Sequence, residues 1–269
     1  MKAILRAMPA LFRQSLAEMF QYRGEMVLWA VWGVVYPAVA MAMWGVAVHG
    51  SPDGETIGGY TPSDFAAYFW LTMVVGHATT AWDVYEMGWL IRSGRMSARL
   101  LRPLLPIWHS LADNFAYKVL TLTILVPLWL LVIAVAEPTF QTGRFELLVA
   151  VPVVLLAAVL NYLWGYNLAL LAFWFTRMDA IGHFWFGATL FLGGRLAPLT
   201  IMPDPVQRIA SALPFKWVIW FPAEALAGRL SPAAVYSGMV NQLIWIAVAL
   251  IVFVVMWRRS VRRYSAVGA

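Results

Sequence analysis

The sequence contains no cysteine, and only 12% of its 269 residues are charged. The lack of cysteine excludes disulfides, thiolate metal ligands and cysteine nucleophiles. Soluble domains usually carry about 25% charged residues, so this chain is short of the charge that a water-exposed surface requires. The hydrophobic fraction is 62%, and it includes 15 Trp and 15 Phe. These values predict an integral membrane protein.

Motifs for catalysis and nucleotide binding are also missing. The sequence has no Gly-Lys dipeptide, and therefore no phosphate-binding loop of the G-x-x-x-x-G-K-[ST] type. It has neither H-E-x-x-H nor G-x-S-x-G. The four histidines lack the spacing of metal ligands and are interpreted as interfacial or packing residues; they are His49, His77, His109 and His183. We therefore predict no enzyme activity, no metal site and no cofactor in this chain. Its net charge of +6 is scattered in short clusters, which does not indicate a nucleic-acid partner.

Six apolar runs are long enough to cross a bilayer, for which about 20 residues are needed. Only one of them contains a charged residue, Arg195 in the fifth run. The runs cover residues 26–48, 65–82, 119–136, 147–176, 180–203 and 230–257. The sequence therefore predicts an all-α integral membrane protein with one transmembrane domain over residues 1–269 and six transmembrane helices.

Clusters of basic residues fall on alternate connections between these runs. Four basic residues precede the first run, four arginines lie in the second connection with Lys118 at its far end, and four arginines follow the last run. They are Lys2, Arg6, Arg13 and Arg23, then Arg92, Arg95, Arg99 and Arg102, then Arg258, Arg259, Arg262 and Arg263. The first connection, 49–62, has no basic residue but contains Asp53 and Glu55. By the positive-inside rule, both termini are predicted to be cytoplasmic.

Residues 1–23 have apolar side chains on one helical face and basic side chains at its edge. This pattern predicts an amphipathic helix in the cytoplasmic interface of the membrane. A simpler alternative is that the helix only anchors the first span. The segment lacks the continuous apolar core and cleavage site of a signal peptide.

Residues 203–229 are too polar and too rich in proline to cross the membrane. They lie between an outward-going and an inward-going span, which places them on the outer side. Their high content of Trp and Phe favours a re-entrant hairpin that enters the outer leaflet, where protein must satisfy its backbone. An ordinary surface loop is the alternative.

The second connection, 91–103, combines arginines with two adjacent leucines. Ser97 is predicted to cap a short helix that Pro103 ends. A solvated charged face accounts for the arginines but not for Leu100 and Leu101. We therefore predict that both leucines project into the cytoplasm as docking side chains for a partner protein.

Two groups of residues within the spans are also of interest. Arg195 is a costly charge in an apolar run, which favours a functional role; alternatively, it snorkels outward or pairs with Glu224. In the fourth run, small residues and one amide recur every four positions, as Ala157, Asn161, Gly165 and Ala169. This spacing favours close helix packing over a ligand site.

These segments, in this order, resemble the membrane subunit of an ABC-type exporter. The class has an N-terminal interface helix, six spans and an outer re-entrant hairpin between spans five and six. Three stretches carry the resemblance: 91–103 with Gly94 and Leu100-Leu101-Arg102-Pro103; Gly193-Gly194-Arg195-Leu196-Ala197-Pro198-Leu199 followed by Met202-Pro203 and Leu213-Pro214-Phe215; and the basic end 257–264. The resemblance covers nearly the whole chain and is closest to small bacterial permeases encoded beside a separate ATPase. Arg195 departs from the pattern, in which a neutral residue is more usual.

The resemblance implies a location, partners and functional residues. It places the chain in the bacterial inner membrane with a second permease chain, identical or paralogous, and with a dimeric ATPase subunit that holds ATP and Mg²⁺. It assigns ATPase coupling to Gly94, Arg99, Leu100, Leu101, Arg102 and Pro103, which would sit in a groove of the ATPase. It assigns the exit path near the dimer axis to span five and the hairpin, including Gly193, Gly194, Arg195 and Pro198.

Two other classes remain as alternatives. A membrane-embedded lipid-modifying enzyme would need a cluster of His, Asp or Glu at one membrane surface, whereas the acidic residues here are dispersed. An ion-coupled transporter would favour carboxylates at mid-span and repeated halves with broken helices, and the sequence shows neither.

Overall fold

The chain is built of α-helices joined by short connections. The computed structural model describes residues 2–51, 55–175 and 177–264, so Asp53 and Thr176 lie outside the described residues. In the described ranges the only β-type pairing is one isolated bridge, Ile57 to Tyr60. The helices are α1 (Lys2–Gln21), α2 (Arg23–His49), α3 (Pro62–Thr79), α4 (Asp83–Arg92), α5 (Arg95–Leu100), α6 (Pro106–Ala136), α7 (Arg144–Ala169), α8 (Asp179–Leu192), α9 (Asp204–Ser211), α10 (Trp220–Leu226) and α11 (Pro232–Arg263).

Four helices are long and apolar enough to cross a membrane: α2, α6, α11, and α7 together with the 3₁₀ turn Leu170–Phe173 that continues it. They contain 27 to 32 residues, which at 1.5 Å per residue is about 40 Å or more. The hydrocarbon core of a bilayer is about 30 Å thick. The chain is therefore a multi-pass membrane protein.

The second predicted span forms α3, a helix of 18 residues that lies at the centre of the bundle. It packs against α2, α6, α7 and α10, and side chains around its whole circumference are buried. Because α3 faces protein rather than lipid, it carries polar residues such as Thr72, His77 and Thr79. This composition explains why α3 is less apolar than the four long helices.

The fifth predicted run, 180–203, does not form one continuous helix. Helix α8 has 14 residues, or about 21 Å, and ends at Leu192. The chain then turns at Gly193 and Gly194 and continues without α-helix to Pro203. Two adjacent glycines followed by Pro198 explain the break, because both residue types disfavour a continuing helix.

Segment 203–229 packs into the bundle. Residues 220–225, in α10, are all buried in a cluster with aromatic side chains from α3. Connection 137–143 joins the same end of the bundle, where the Gln141 amide donates to Ala227 O (3.1 Å) and the Thr139 amide donates to Ser63 O (3.3 Å). The alternative of an ordinary surface loop is therefore wrong for the part of the segment that contains α10.

At the opposite end, α1 lies against α6. Ser15 Oγ donates to Asp113 Oδ1 (2.5 Å), and the rings of Phe12 and Phe115 are 5.6 Å apart. The end of α7 and the end of α11 meet at this end as well, where Phe173 contacts Tyr264. The helix predicted over 1–23 is thus present as α1, Lys2–Gln21, and it packs against α6 at the end of the bundle where the basic clusters lie.

Gly238 in α11 provides a test of this packing. A Cβ atom at Gly238 would overlap the ring of Phe221 in α10, which is buried and has little freedom to move. We expect Gly238→Ala to destabilise the protein by about 1–3 kcal/mol, a typical cost of overpacking. The melting temperature in detergent measures this effect. Gly33→Ala in α2 is the matched control, because a Cβ there meets no atom within 4 Å; an equal loss in both variants would argue against the α10–α11 contact.

Candidate functional site

The segment 193–203, which contains no α-helix, lies beside α2 and α3, and its backbone forms hydrogen bonds with side chains and backbone of other elements. Tyr68 Oη donates to Gly194 O (2.5 Å). Trp44 Nε1 donates to Leu196 O (2.9 Å), and the Trp220 amide donates to Gly193 O (3.0 Å). Non-helical backbone inside a membrane protein requires partners of this kind. The segment is therefore held in one conformation by contacts from α2, α3 and α10.

Gly194 sets the course of this segment. Its φ is +78°, a left-handed conformation that is costly for residues with a side chain. A Cβ at this position would also lie 2.8 Å from Trp220 Cβ and 2.7 Å from Tyr68 Oη. The position consequently requires glycine, and it directs Arg195, which follows, toward α3. Pro198 is buried a few residues further on.

The Arg195 side chain reaches in between α2 and α3. A Cβ at Gly76, in the second half of α3, would lie 3.7 Å from Arg195 Nη1. The hydroxyls of Tyr36 and Tyr68 are close enough to interact electrostatically with the guanidinium. Because Tyr36 is the middle residue of α2, the guanidinium lies near the middle of the bundle. The alternative that Arg195 snorkels outward is therefore wrong.

Arg195 also lacks a partner. Within the described residues it makes no hydrogen bond and no ion pair, and its Nε atom is shielded from solvent. The hydroxyl of Tyr36 is likewise buried without a hydrogen-bond partner. Glu224, the partner considered from sequence, pairs with Arg229 instead (Oε2 to Nε, 3.5 Å). The alternative of an Arg195–Glu224 pair is thus also wrong.

Glu224 belongs to a second polar group, at the end of the bundle where the hairpin packs. Arg229 lies between Asp64 (3.2 Å) and Glu224 (3.5 Å), with its guanidinium 3.8 Å above the centre of the Tyr60 ring. Tyr60 Oη donates to Glu224 Oε1 (2.9 Å). We call these four residues the hairpin clamp, because they join the start of α3 and the preceding turn to α10. Burial raises the pKa of Glu224 to about 7.

Sequence reasoning did not find the hairpin clamp. Tyr60 and Glu224 are 164 residues apart in the chain, and no local pattern indicates that they meet. The available signal was the acidic Glu224 within an otherwise aromatic and aliphatic stretch.

The connection 91–103 contains a short helix, α5, but it begins differently from the prediction. The residue before the helix is Gly94, with φ +72°, and Ser97 lies inside α5. The prediction that Ser97 caps the helix was wrong, because a left-handed glycine turns the chain into α5. The Ser97 hydroxyl instead hydrogen-bonds with Tyr264 Oη (2.7 Å) after α11.

Arg99 fixes α5 to its neighbours. Its Nη2 atom lies 3.2 Å from Glu86 Oε1 in α4 and 3.4 Å from Asp113 Oδ2 in α6. Arg102 Nη1 lies 3.2 Å from His109 Nε2 in α6. These contacts are internal to the chain, so Arg99 joins α5 to α4 and α6.

Asp83 lies next to this group, at the start of α4. It is buried and accepts hydrogen bonds from Ser110 and Asn114 in α6. Burial, and then the nearby carboxylate of Glu86, raise the pKa of Asp83 to about 8. α4 and α6 are thus joined by a buried polar contact beneath α5.

Leu100 and Leu101 point to different surroundings. Leu100 packs against the buried cluster that includes Met87 and Met96, whereas the side chain of Leu101 is 87% exposed. Adjacent helical positions are about 100° apart, so both side chains do not project from the same face. The predicted pair of docking side chains is therefore reduced to Leu101, which is exposed together with Arg102 and Pro103.

The four-residue repeat of α7 faces the junction of α3 and α4. Ala157 and Ala169 are fully buried, and a Cβ at Gly165 would contact Ala81 Cβ at 3.8 Å. Asn161 Nδ2 donates to Thr79 O (2.8 Å), one of the last carbonyls of α3. Small residues thus bring the helices close, and the amide satisfies a carbonyl that the helix end leaves free.

The histidines show no metal site. Across ranges 2–51, 55–175 and 177–264, no group of three or more His, Asp or Glu side chains is placed to hold a metal ion. His77 Nε2 lies 3.2 Å from the carbonyl of Lys118.

Comparison with known proteins decides the family. The family model described as ABC-2 family transporter protein matches residues 34–268. This chain belongs to the ABC-2 transporter family. Members of this family are transport membrane subunits that are not themselves catalytic and that normally work with an ATPase subunit. A search of curated proteins and a search of solved structures found no match.

The hairpin clamp gives a pH prediction. The pKa of Glu224 rises from an ordinary 4.5 to about 7 in the folded protein, so between these values the folded state binds the proton more tightly than the unfolded state. Stability from this group is full below about pH 4.5 and is lost as the pH rises through about 7. We expect the free energy of unfolding of the wild type, relative to Glu224→Gln, to fall by roughly 3 kcal/mol over this window, because one pKa unit corresponds to about 1.4 kcal/mol.

Melting temperatures of the wild type, Glu224→Gln and Glu55→Gln at a series of pH values measure this difference. Glu55 is exposed, and its variant controls for the loss of one carboxyl group. A difference between wild type and Glu224→Gln that does not change with pH would show that Glu224 is not held in the buried clamp.

Proposed function

We propose that the chain is the permease subunit of an ATP-driven ABC exporter in the bacterial inner membrane, where it forms half of a dimeric pore. The observation that carries this proposal is the family match over residues 34–268. ATP and Mg²⁺ are bound by a separate ATPase subunit, and the second permease chain is identical or paralogous. No observation favours the alternative of a lipid-modifying enzyme.

In this proposal the chain crosses the membrane six times, with α3 and α8 added to the four long helices. The length of α3, about 27 Å, is close to the thickness of the hydrocarbon core. Helix α8 is shorter, and the segment 193–203 completes its passage. The four arginines near α5 and the four at the end of α11 then lie together in the cytoplasm.

The segment 203–229 is proposed as an outer re-entrant hairpin. Helix α10 packs between α3 and α7, and Gln242 in α11 donates to Trp217 O (2.9 Å) and to Val153 O (3.2 Å). Partners of this kind make a non-spanning segment tolerable at membrane depth.

The proposed path runs along α8 and residues 193–198. Helix α8 has one buried residue, Gly182, and presents Phe184 (77% exposed) and Phe191 (52% exposed) to its surroundings. A large exposed apolar face suits contact with a second permease chain or with lipid. We place this face toward the dimer axis, so that Arg195 and the glycine turn before it line the path.

The proposed contact with the ATPase is the surface of Leu101, Arg102 and Pro103. This surface rests on a rigid base, because α5 is held by buried Met96, by Arg99 and by the Ser97–Tyr264 hydrogen bond. An exposed leucine on such a base suits a pocket in a partner, with the arginine setting the approach.

Leu101→Ala is expected to weaken binding of the ATPase about thirtyfold, since truncation of an interface anchor costs about 2 kcal/mol. Leu100→Ala should leave binding nearly unchanged but lower the melting temperature, because Leu100 packs inside the chain. Co-purification and titration of the ATPase against each permease variant measure both effects.

Leu148→Ala, a change at an exposed position of α7, serves as the control for loss of a leucine. The permease alone should hydrolyse no ATP. Full-strength binding by Leu101→Ala, or hydrolysis by the isolated chain, would contradict the coupling assignment.

Reporter insertions distinguish six spans from four. With six spans, a reporter after Ser93 is cytoplasmic and a reporter after Thr142 is outside. With only the four long helices spanning, these two locations are reversed, while fusions at Gly54 and Ala269 stay outside and inside. A cytoplasmic signal from Ser93 with a periplasmic signal from Thr142 is the expected result.

A further inference from the structure

We propose that the transported substrate is an amphipathic anion whose negative group binds Arg195 and Tyr36 and whose apolar part lies along the exposed face of α8. This inference rests on the proposed function, because it names the substrate class for the path described above.

Arg195 differs from Arg99 and Arg229 in its charge partners. In the described part of the chain, Arg99 has two carboxylate partners, Glu86 and Asp113. Arg229 has two as well, Asp64 and Glu224. Arg195 has none, although its Nε atom is shielded from solvent. Arg195 is half-buried and stays charged under all ordinary conditions, and a charge at this depth of a membrane protein is costly until an opposite charge is bound. Within the described residues the chain supplies no carboxylate to this guanidinium, so an anion from outside the chain would complete the ion pair.

The site offers hydrogen-bond donors of two kinds, guanidinium N–H groups and a phenol hydroxyl. A guanidinium presents its N–H groups in a planar fork that fits the oxygens of a carboxylate or phosphate. Within the described residues, the hydroxyl of Tyr36 is buried without a hydrogen-bond partner. Gly76 has no side chain beside Nη1, where a Cβ would lie at 3.7 Å. Two unsatisfied donors and an open approach favour one oxyanion group.

The apolar part of the substrate contacts α8. Phe184 and Phe191 are seven residues apart on α8 and therefore share one face. Between them a Cβ at Gly187 would meet no atom within 4 Å, which leaves open space flanked by two rings. Arg195 follows Phe191 by four residues. The proposed function places this face toward the dimer axis, along the path. There an aliphatic chain attached to the anionic group would contact it, whereas a small hydrophilic anion would make no contact with it.

The test uses the purified permease in neutral-lipid nanodiscs, without the ATPase. The probes are dodecyl phosphate, dodecyltrimethylammonium, dodecanol and inorganic phosphate, and the melting temperature is measured against probe concentration. We expect saturable stabilisation by dodecyl phosphate at concentrations at least about tenfold lower than for the other three probes.

Variants locate the binding. Arg195→Gln should weaken binding of dodecyl phosphate at least about tenfold, as expected for loss of a hydrogen-bonded charge. Arg195→Lys should retain part of the affinity, because the charge remains without the planar fork, and Tyr36→Phe should lose several-fold. Arg208→Gln, which removes an exposed cation of α9, should bind like the wild type. If Arg195→Gln does not fold, the Lys and Tyr36 variants still test the site.

Competition with phosphatidylglycerol distinguishes the two sources of such an anion. Displacement of dodecyl phosphate supports a membrane lipid as the substrate, and absence of displacement supports a non-lipid amphiphile. Equal stabilisation of the wild type and Arg195→Gln would overturn the proposal, since the probe would then act as an adventitious additive only. Tight binding of inorganic phosphate alone, or of the cationic probe, would also overturn it. Failure of the proposed function would appear separately, as absence of ATPase binding, and would leave these titrations unchanged.

Discussion

The structure depends on one constraint, that backbone groups outside helices must find partners inside the protein. The stretch 193–203 lies next to the bundle centre and is not α-helical. Two of its carbonyl groups therefore accept hydrogen bonds from side chains, from Trp44 in α2 and from Tyr68 in α3. Helix α3 must therefore be central and partly polar. Its central position in turn gives α10 an aromatic surface to pack on, so the arrangement of the hairpin follows from the broken span.

Three arginines mark different parts of the molecule: Arg99 and Arg229 form ion pairs at its two ends, and Arg195 between them is unpaired within the described residues. Arg99 at one end and Arg229 at the other each hold two carboxylates, and these contacts join elements that are distant in sequence. Arg195 lies between the two ends, near the middle of α2, and has no such partner. Charges that hold structure are satisfied within the chain, whereas an unsatisfied charge at this depth favours a ligand.

Sequence patterns predicted what is local and missed what is long-range. The length of the uninterrupted apolar runs predicted α2, α6, α7 and α11, because a helix that faces lipid is recognised by its length and apolar composition alone. The fifth run was predicted too long, since composition does not show how Gly194 is held against Trp220. The family resemblance led to the region of α5, yet the separate surroundings of Leu100 and Leu101 depend on tertiary packing. The hairpin clamp was not predictable, because its members are brought together only by the fold.

In the proposed transporter, a physical route joins the ATPase surface to the substrate site. A displacement of Leu101 moves α5, which Arg99 ties to α4 through Glu86. Helix α4 contacts α8, where a Cβ at Gly182 would lie 2.6 Å from the Tyr85 ring, so the two helices cannot approach more closely. Helix α8 also contacts α9 and the turn 215–217, and Arg195 follows its far end. A push at the cytoplasmic surface therefore acts on the segment that carries the unpaired cation, while the hairpin clamp holds the neighbouring end of α3 in place.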